Sequence, residues 1–223
     1  MIGIIGAMEI ETRGIKKLMT DIITDNVGSI EFVSGKLKGK DVVCAMCNPG
    51  KVNAAICAQA MIMKYSPEII INSGVAGSLC DDLNVLDIAI GKSCVQHDFD
   101  TTALGCPLGL VDGVDTINFE CDSRAVEIFE QICIEENTKT GVIATGDIFV
   151  SGSELKTKLH TGFDAIACEM EGASIGHVCM VNNIKYAVLR AISDGADELD
   201  FNTFKVLASD KSIKIIEKFV EMY

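Results

Sequence analysis

The stretch Ile69-Ile70-Ile71-Asn72-Ser73-Gly74-Val75-Ala76-Gly77 joins three β-branched residues to a run of small ones rich in glycine. It predicts a strand buried on both faces over residues 69–71, followed by a loop over 73–77 at its carboxyl end. Upstream, residues 51–64 are rich in Ala and Met and predict a helix. Residues 30–37 and 41–46 predict strands around the Lys38-Gly39-Lys40 turn. Residues 9–19 carry apolar positions at helical spacing, and 2–5 form a short apolar strand ending in Gly6. Downstream, a strand is expected over 87–95, and a long loop over 97–118, where Gly105, Pro107, Gly109 and Gly113 interrupt any period. A helix follows over 123–135, then a strand over 141–145 and a short helix over 152–159. A helix over 170–181, a strand over 185–192 and a closing helix over 201–220 complete the chain. Strands alternating with helices imply an α/β fold with a mixed central β-sheet flanked by helices on both faces. With no linker, repeat or low-complexity segment, one domain over residues 1–223 is expected.

Composition narrows the function. The 223 residues are 48% hydrophobic and carry 19 Lys and Arg against 32 Asp and Glu, a net charge of −13. That balance argues against nucleic acid as partner, since phosphates are held by clustered basic side chains. Arg is scarce, with only Arg13, Arg124 and Arg190. Met1 runs directly into an apolar strand with no basic leader, and no apolar stretch reaches the roughly 20 residues that span a bilayer. Neither a secretory segment nor a membrane partner is expected. Cys44, Cys57, Cys94, Cys133 and Cys179 lie in apolar segments, where a thiol behaves as a small hydrophobe; a reducing, cytoplasmic setting fits them better than disulfides. The pair Cys44 and Cys47 has C-x-x-C spacing but no second pair or nearby His to complete a zinc site. His97-Asp98-Phe99-Asp100 could be read as metal ligands, though His160 and His177 are remote in sequence. No metal or cofactor is expected.

Common nucleotide motifs fail. Gly50-Lys51 is followed by Val52, and Ala45 stands where a P-loop needs its first glycine; Gly3-Ile4-Ile5-Gly6 lacks the G-x-G-x-x-G spacing; no G-x-S-x-G elbow is present. What remains are acids at the ends of strands, where open α/β sheets gather their sites. Glu9 and Glu11 open a helix after the first strand. Such acids also complement a helix dipole, worth about 0.3–1 kcal/mol. Residues two apart do not share a helix face, so one of them at most turns into a cleft. The same reasoning for Glu169-Met170-Glu171, placed at the start of a helix, turns one carboxylate inward and leaves the other in solvent. A carboxylate facing a cleft can accept from both hydroxyls of a vicinal diol. Asp194 follows the apolar strand over 185–192; desolvation there would raise its pKa and suit it to donate a proton, although a turn or cap aspartate explains it equally.

Taken in order, several stretches resemble the 5′-methylthioadenosine/S-adenosylhomocysteine nucleosidases of the nucleoside phosphorylase superfamily. They are Gly6-Ala7-Met8-Glu9-Ile10-Glu11, Gly50-Lys51-Val52-Asn53, Asn72-Ser73-Gly74-Val75-Ala76-Gly77, Thr145-Gly146-Asp147-Ile148-Phe149-Val150, Glu169-Met170-Glu171-Gly172 and Arg190-Ala191-Ile192-Ser193-Asp194-Gly195-Ala196-Asp197. The resemblance runs nearly end to end. It implies hydrolysis of the bond between adenine and a 5′-thio-substituted ribose, with Asp194 protonating the purine at N7 and Glu11 activating water. It implies that Glu171 binds the ribose hydroxyls, that Met170 packs on the sugar, and that Phe149 stacks on adenine while the Val150 backbone reads its edge. Gly77 would contact substrate and Phe204 would line the pocket. The resemblance also implies a homodimer. Departures are Val75, where Ser is usual, Pro49, where Ile is common, and the loop over 104–113. A phosphorylase of the same superfamily, a nucleosidase for a bulkier 5′ group such as aminofutalosine, and an inactive nucleoside-binding protein remain as alternatives.

Overall fold

The structure is a computed structural model that describes residues 1–195 and 198–223, with backbone only at 198–200. In chain order its elements are β1 (Ile2–Gly6), α1 (Glu9–Leu18), β2 (Thr20–Val27), β3 (Ile30–Leu37), β4 (Lys40–Met46), α2 (Lys51–Tyr65), β5 (Ile69–Ser78), β6 (Ile88–Gln96), β7 (Asn118–Glu120), α3 (Ser123–Ile132), β8 (Thr138–Thr145), α4 (Ser153–Phe163), β9 (Ala165–Glu169), α5 (Gly172–Val181), β10 (Lys185–Asp194) and α6 (Glu198–Met222). The expected α/β architecture is the observed one. Among the described residues the ten strands form one mixed sheet.

Residues alternate across this sheet with period two. Ile2, Ile4, Ile69 and Ile71 pack on one face with α1, α3 and α6; Ile5 and Ile70 pack on the other with α2 and α5. A side chain at Gly3 would bring Cβ within 2.5 Å of Met61 Sδ on α2, so glycine there lets the helix lie close. Period two also separates the C-x-x-C pair. Cys44 joins the first face and Cys47 the second, so the two thiols cannot share one ion. Burial pushes the Cys44 thiol up to about 12.

The glycine-rich segment 73–77 is not a loop. It continues β5, buried throughout, paired in parallel with β10 from Ile69↔Lys185 to Gly77↔Asp194. Its first half also pairs with β1, and its last two residues, Gly77 and Ser78, pair antiparallel with β9. Since β10 pairs with β6, β6 with β8 and β8 with β9, these five strands close into a ring. That closure brings the ends of β5, β9 and β10 together. Three further strands, β2, β7 and β9, were not expected. In β2 every residue is exposed, so it has no one-sided apolar pattern; β7 spans three residues.

Candidate active site

A cleft of about 610 Å³, part of it open to solvent, lies where β1, β5, β9 and β10 end, within the usual range of roughly 300–1,000 Å³ for small-ligand sites. Glu11, Gly77, Phe149, Val150, Met170, Glu171 and Asp194 all line it, so seven of the positions singled out in the sequence share one wall-to-wall space. Phe204 is half-buried on α6 and is not among the lining residues; Phe201, on the same helix, is. Ala196 and Asp197, which end the last matching stretch, lie outside the described residues.

Glu11 sits in the first turn of α1 and is buried, while Glu9 is exposed. Its Oε2 accepts from the N–H groups of Ala7 and Met8 at 2.7 and 2.8 Å, donors left orphaned at the helix start. Its Oε1 accepts from the Val75 N–H at 3.1 Å. Gly74 makes this approach feasible, because a Cβ there would stand 2.5 Å from Oε1. Burial raises the Glu11 pKa, against the opposing pull of Arg190 and of the three N–H donors.

Glu169 and Glu171 are both buried, so the expectation of one carboxylate in solvent is corrected. The cause is local. Glu169 ends β9 and Glu171 caps α5, which begins at Gly172, so the two do not belong to one helix. Glu169 accepts from the N–H groups of Glu171 at 2.9 Å and Gly172 at 2.7 Å, from the Thr145 hydroxyl, and from the Arg190 guanidinium. Arg190 is itself 1% exposed and also binds Asn72. Burial alone would lower its pKa, but Glu169, Glu171 and Glu11 hold it above the ordinary value. Sequence reasoning counted Arg190 only as scarce cationic material. Its place inside an apolar strand was the signal that it had to be paired.

Glu171 Oε1 accepts from the Gly50 N–H at 2.9 Å. Burial, and then the charge of Glu169, push its pKa up to about 8. Near neutral pH its carboxyl group can therefore both donate to and accept from a hydroxyl. Asp194 sits at an irregularity in the β5–β10 ladder opposite Gly77, is buried, and accepts from Ser193 Oγ at 2.7 Å. Ser193 Oγ thus supplies a hydroxyl beside Asp194, although residue 75 is Val. Phe149 is 44% exposed in the segment after β8 and stands edge-on to Phe201, with ring centroids 5.4 Å apart. One side of the cleft is therefore aromatic and apolar, the other carboxylate-lined.

The phosphorylase superfamily model matches residues 1–221, and the chain belongs to that superfamily. The 5′-methylthioadenosine/S-adenosylhomocysteine nucleosidase of Staphylococcus aureus (strain MRSA252) is 37% identical over 226 residues, covering 99% of each chain. The Neisseria meningitidis enzyme of the same name, solved with methylthio-immucillin-A, gives a TM-score of 0.96 at 31% identity over 100% of this chain and 99% of that one. Within the superfamily the chain belongs to this nucleosidase family. Futalosine hydrolase of Helicobacter pylori is also similar, at TM-score 0.95 and 34% identity over 100% of this chain and 97% of that one.

Proposed function

We propose that this protein is an N-glycosyl hydrolase that cleaves 5′-methylthioadenosine and S-adenosylhomocysteine to adenine and the 5-thioribose product. The observation that carries it is the convergence of Glu11, Glu171 and Asp194 with Phe149 on one cleft in a member of the nucleosidase family. In this reading adenine stacks on Phe149, with the Val150 backbone at its edge and Gly77 beneath. Glu171 takes the ribose hydroxyls and Met170 packs on the sugar. As the glycosidic bond lengthens, Asp194 gives a proton to purine N7, so that adenine leaves neutral. The sugar becomes oxocarbenium-like, and water adds to it while Glu11 accepts the water proton. The ionised Glu11 also favours the positive charge developing on the sugar.

Water rather than phosphate is the nucleophile in this proposal. Among the described residues no Lys or Arg lines the cleft. Arg190 is engaged by Glu169, Arg124 donates to the Tyr223 carbonyl at 2.9 Å, and Arg13 is exposed. Adenine release from 5′-methylthioadenosine should proceed at full rate without phosphate; strict dependence on phosphate would make the chain a phosphorylase. The likeness to futalosine hydrolase keeps one other reading, a nucleosidase for a bulkier 5′ group. A panel of 5′-substituted adenosines, including S-adenosylhomocysteine, 5′-deoxyadenosine and aminofutalosine, ranks them by kcat/KM. Binding of adenine without cleavage of any of these would leave a binding protein.

A homodimer, acting in the cytoplasm, completes the proposal. Val52, Ile56 and Met63 on α2 are 69%, 55% and 78% exposed, and Met180 and Val181 on the neighbouring α5 are 48% and 60% exposed. On α2 these positions recur at helical spacing on one face, an apolar patch suited to a second copy. Sedimentation velocity should give twice the chain mass, and Ile56→Lys with Met63→Lys should give the monomer. A monomeric wild type would refute the dimer.

A further inference from the structure

The His97-Asp98-Phe99-Asp100 run has no part in the chemistry above, yet Asp98 ties together both walls of the cleft from outside it. Asp98 follows the end of β6. Its Oδ1 accepts from Lys51 Nζ at 2.7 Å, and its Oδ2 accepts from the Asp147 N–H at 2.9 Å. Asp147 Oδ1 in turn accepts from the Lys51 N–H at 2.8 Å. These bonds close a ring through three separate segments. Lys51 opens α2, and Asp147 immediately precedes Ile148, Phe149 and Val150. Gln96 Oε1 takes a second bond from Lys51 Nζ at 3.3 Å. The Lys51 and Asp98 side chains are each only 18% exposed, so this pair is shielded well beyond a surface ion pair.

The ring reaches the reacting side of the cleft through a single residue. Gly50, next to Lys51, donates its N–H to Glu171. Its φ of +101° is a conformation that favours glycine, and a Cβ there would stand 3.1 Å from Asp147 Oδ1. Moving the Lys51 end of α2 therefore moves the donor that holds Glu171, and moving Asp147 moves the aromatic wall. Burial pushes the Asp98 pKa up, but the Lys51 ammonium and the Asp147 N–H outweigh it and hold the carboxyl below its usual value.

We propose that Asp98, paired with Lys51, is a positioning residue that fixes the spacing between the 148–150 wall and Glu171, and so sets the affinity for the adenosine moiety. It lines no part of the cleft and acts only through Lys51, Asp147 and Gly50. The proposal rests on the nucleosidase reading for its kinetic expression. Its test is a cycle of Asp98→Asn, Lys51→Met and the double variant, assayed on 5′-methylthioadenosine and by calorimetric binding of adenine. Each single variant should raise KM by about tenfold with kcat changed less than about threefold, and the double should be no worse than the weaker single. Adenine affinity should fall in parallel. KM unchanged in both singles, effects that multiply in the double, or a fall in kcat matching the fall in kcat/KM would overturn it. So would a lowered Tm with KM unchanged, which leaves only a structural role. If the wild type releases no adenine, the nucleosidase reading falls while adenine affinity still reports on the clamp.

Discussion

Asp194→Asn is expected to lower kcat for adenine release by about 10²–10⁴-fold while changing KM little, the range associated with loss of a positioned general acid. The side chain keeps its shape, and Ser193 Oγ at 2.7 Å can still donate to the remaining oxygen. What is lost is the acidic proton for purine N7. Adenine would then have to leave as an anion, into a cleft walled by carboxylates. Glu11→Gln should lose activity to a similar degree for the complementary reason, and its pH dependence separates the two roles. Glu11 works as a base only when ionised, and burial raises its pKa above the ordinary 4.5. The wild-type rate should therefore rise with pH through a limb displaced upward from 4.5, and Glu11→Gln should abolish that limb. The Gln variant needs a stability control. One amide oxygen can serve the Ala7 and Met8 N–H groups, but the NH₂ group would then face the Val75 N–H, two donors against each other. A kcat for Asp194→Asn above about a tenth of wild type would remove Asp194 from the role of proton donor.

The parts of this molecule legible in the sequence are those where one physical signal dominates. Ile2 to Ile5 reads as a short apolar strand and Ile69 to Ile71 as a strand buried on both faces, and both alternate between the two halves of the core. Helix phase allows only one of Glu9 and Glu11 into the cleft without saying which, the family resemblance picks Glu11, and of the two the structure buries Glu11. Ser73 to Gly77 misled because glycine signals both a turn and a close approach. Here Gly74 is a strand residue that makes room for Glu11, a reason that lies in a side chain 63 positions away. The same limit hid Glu169. Its burial depends on Arg190, Thr145 and the N–H groups of Glu171 and Gly172, and no local pattern brings these together. Phe204 and Phe201 lie within one turn of α6, and which of them meets the cleft depends on how that helix is rotated against β5 and β10. The exposed strand β2 is rich in β-branched residues but buries neither face, so it shows no apolar alternation and its pairing with β3 defines it.

Arg190→Met is expected to destabilise the protein by about 3–5 kcal/mol, the cost of removing one partner from a buried ion pair. The Met side chain fills much of the same volume, so lost charge rather than an empty cavity dominates. Arg190 and Glu169 have side chains 1% and 3% exposed, and the guanidinium also donates to the Asn72 carbonyl and the Leu189 carbonyl at 3.2 Å each. Without it, Glu169 keeps its N–H and hydroxyl donors but loses the cation beside it. Glu11 and Glu171 also lose the one charge that offsets their burial. Glu171 is already pushed up to about 8 with Arg190 present and should go higher without it. Glu11 is pushed up as well, so less of the base is ionised near neutral pH, and the variant should lose activity beyond its loss of stability. Glu169→Gln should cost less, because the amide oxygen can still accept from the first turn of α5. The double variant should recover part of the loss, since it leaves no carboxylate at 169 to be stranded. Urea unfolding of the four proteins at neutral pH measures this cycle. A loss below about 1 kcal/mol for Arg190→Met would mean that Glu169 is held by its backbone donors alone, with Arg190 present for the electrostatics of the cleft rather than for the fold.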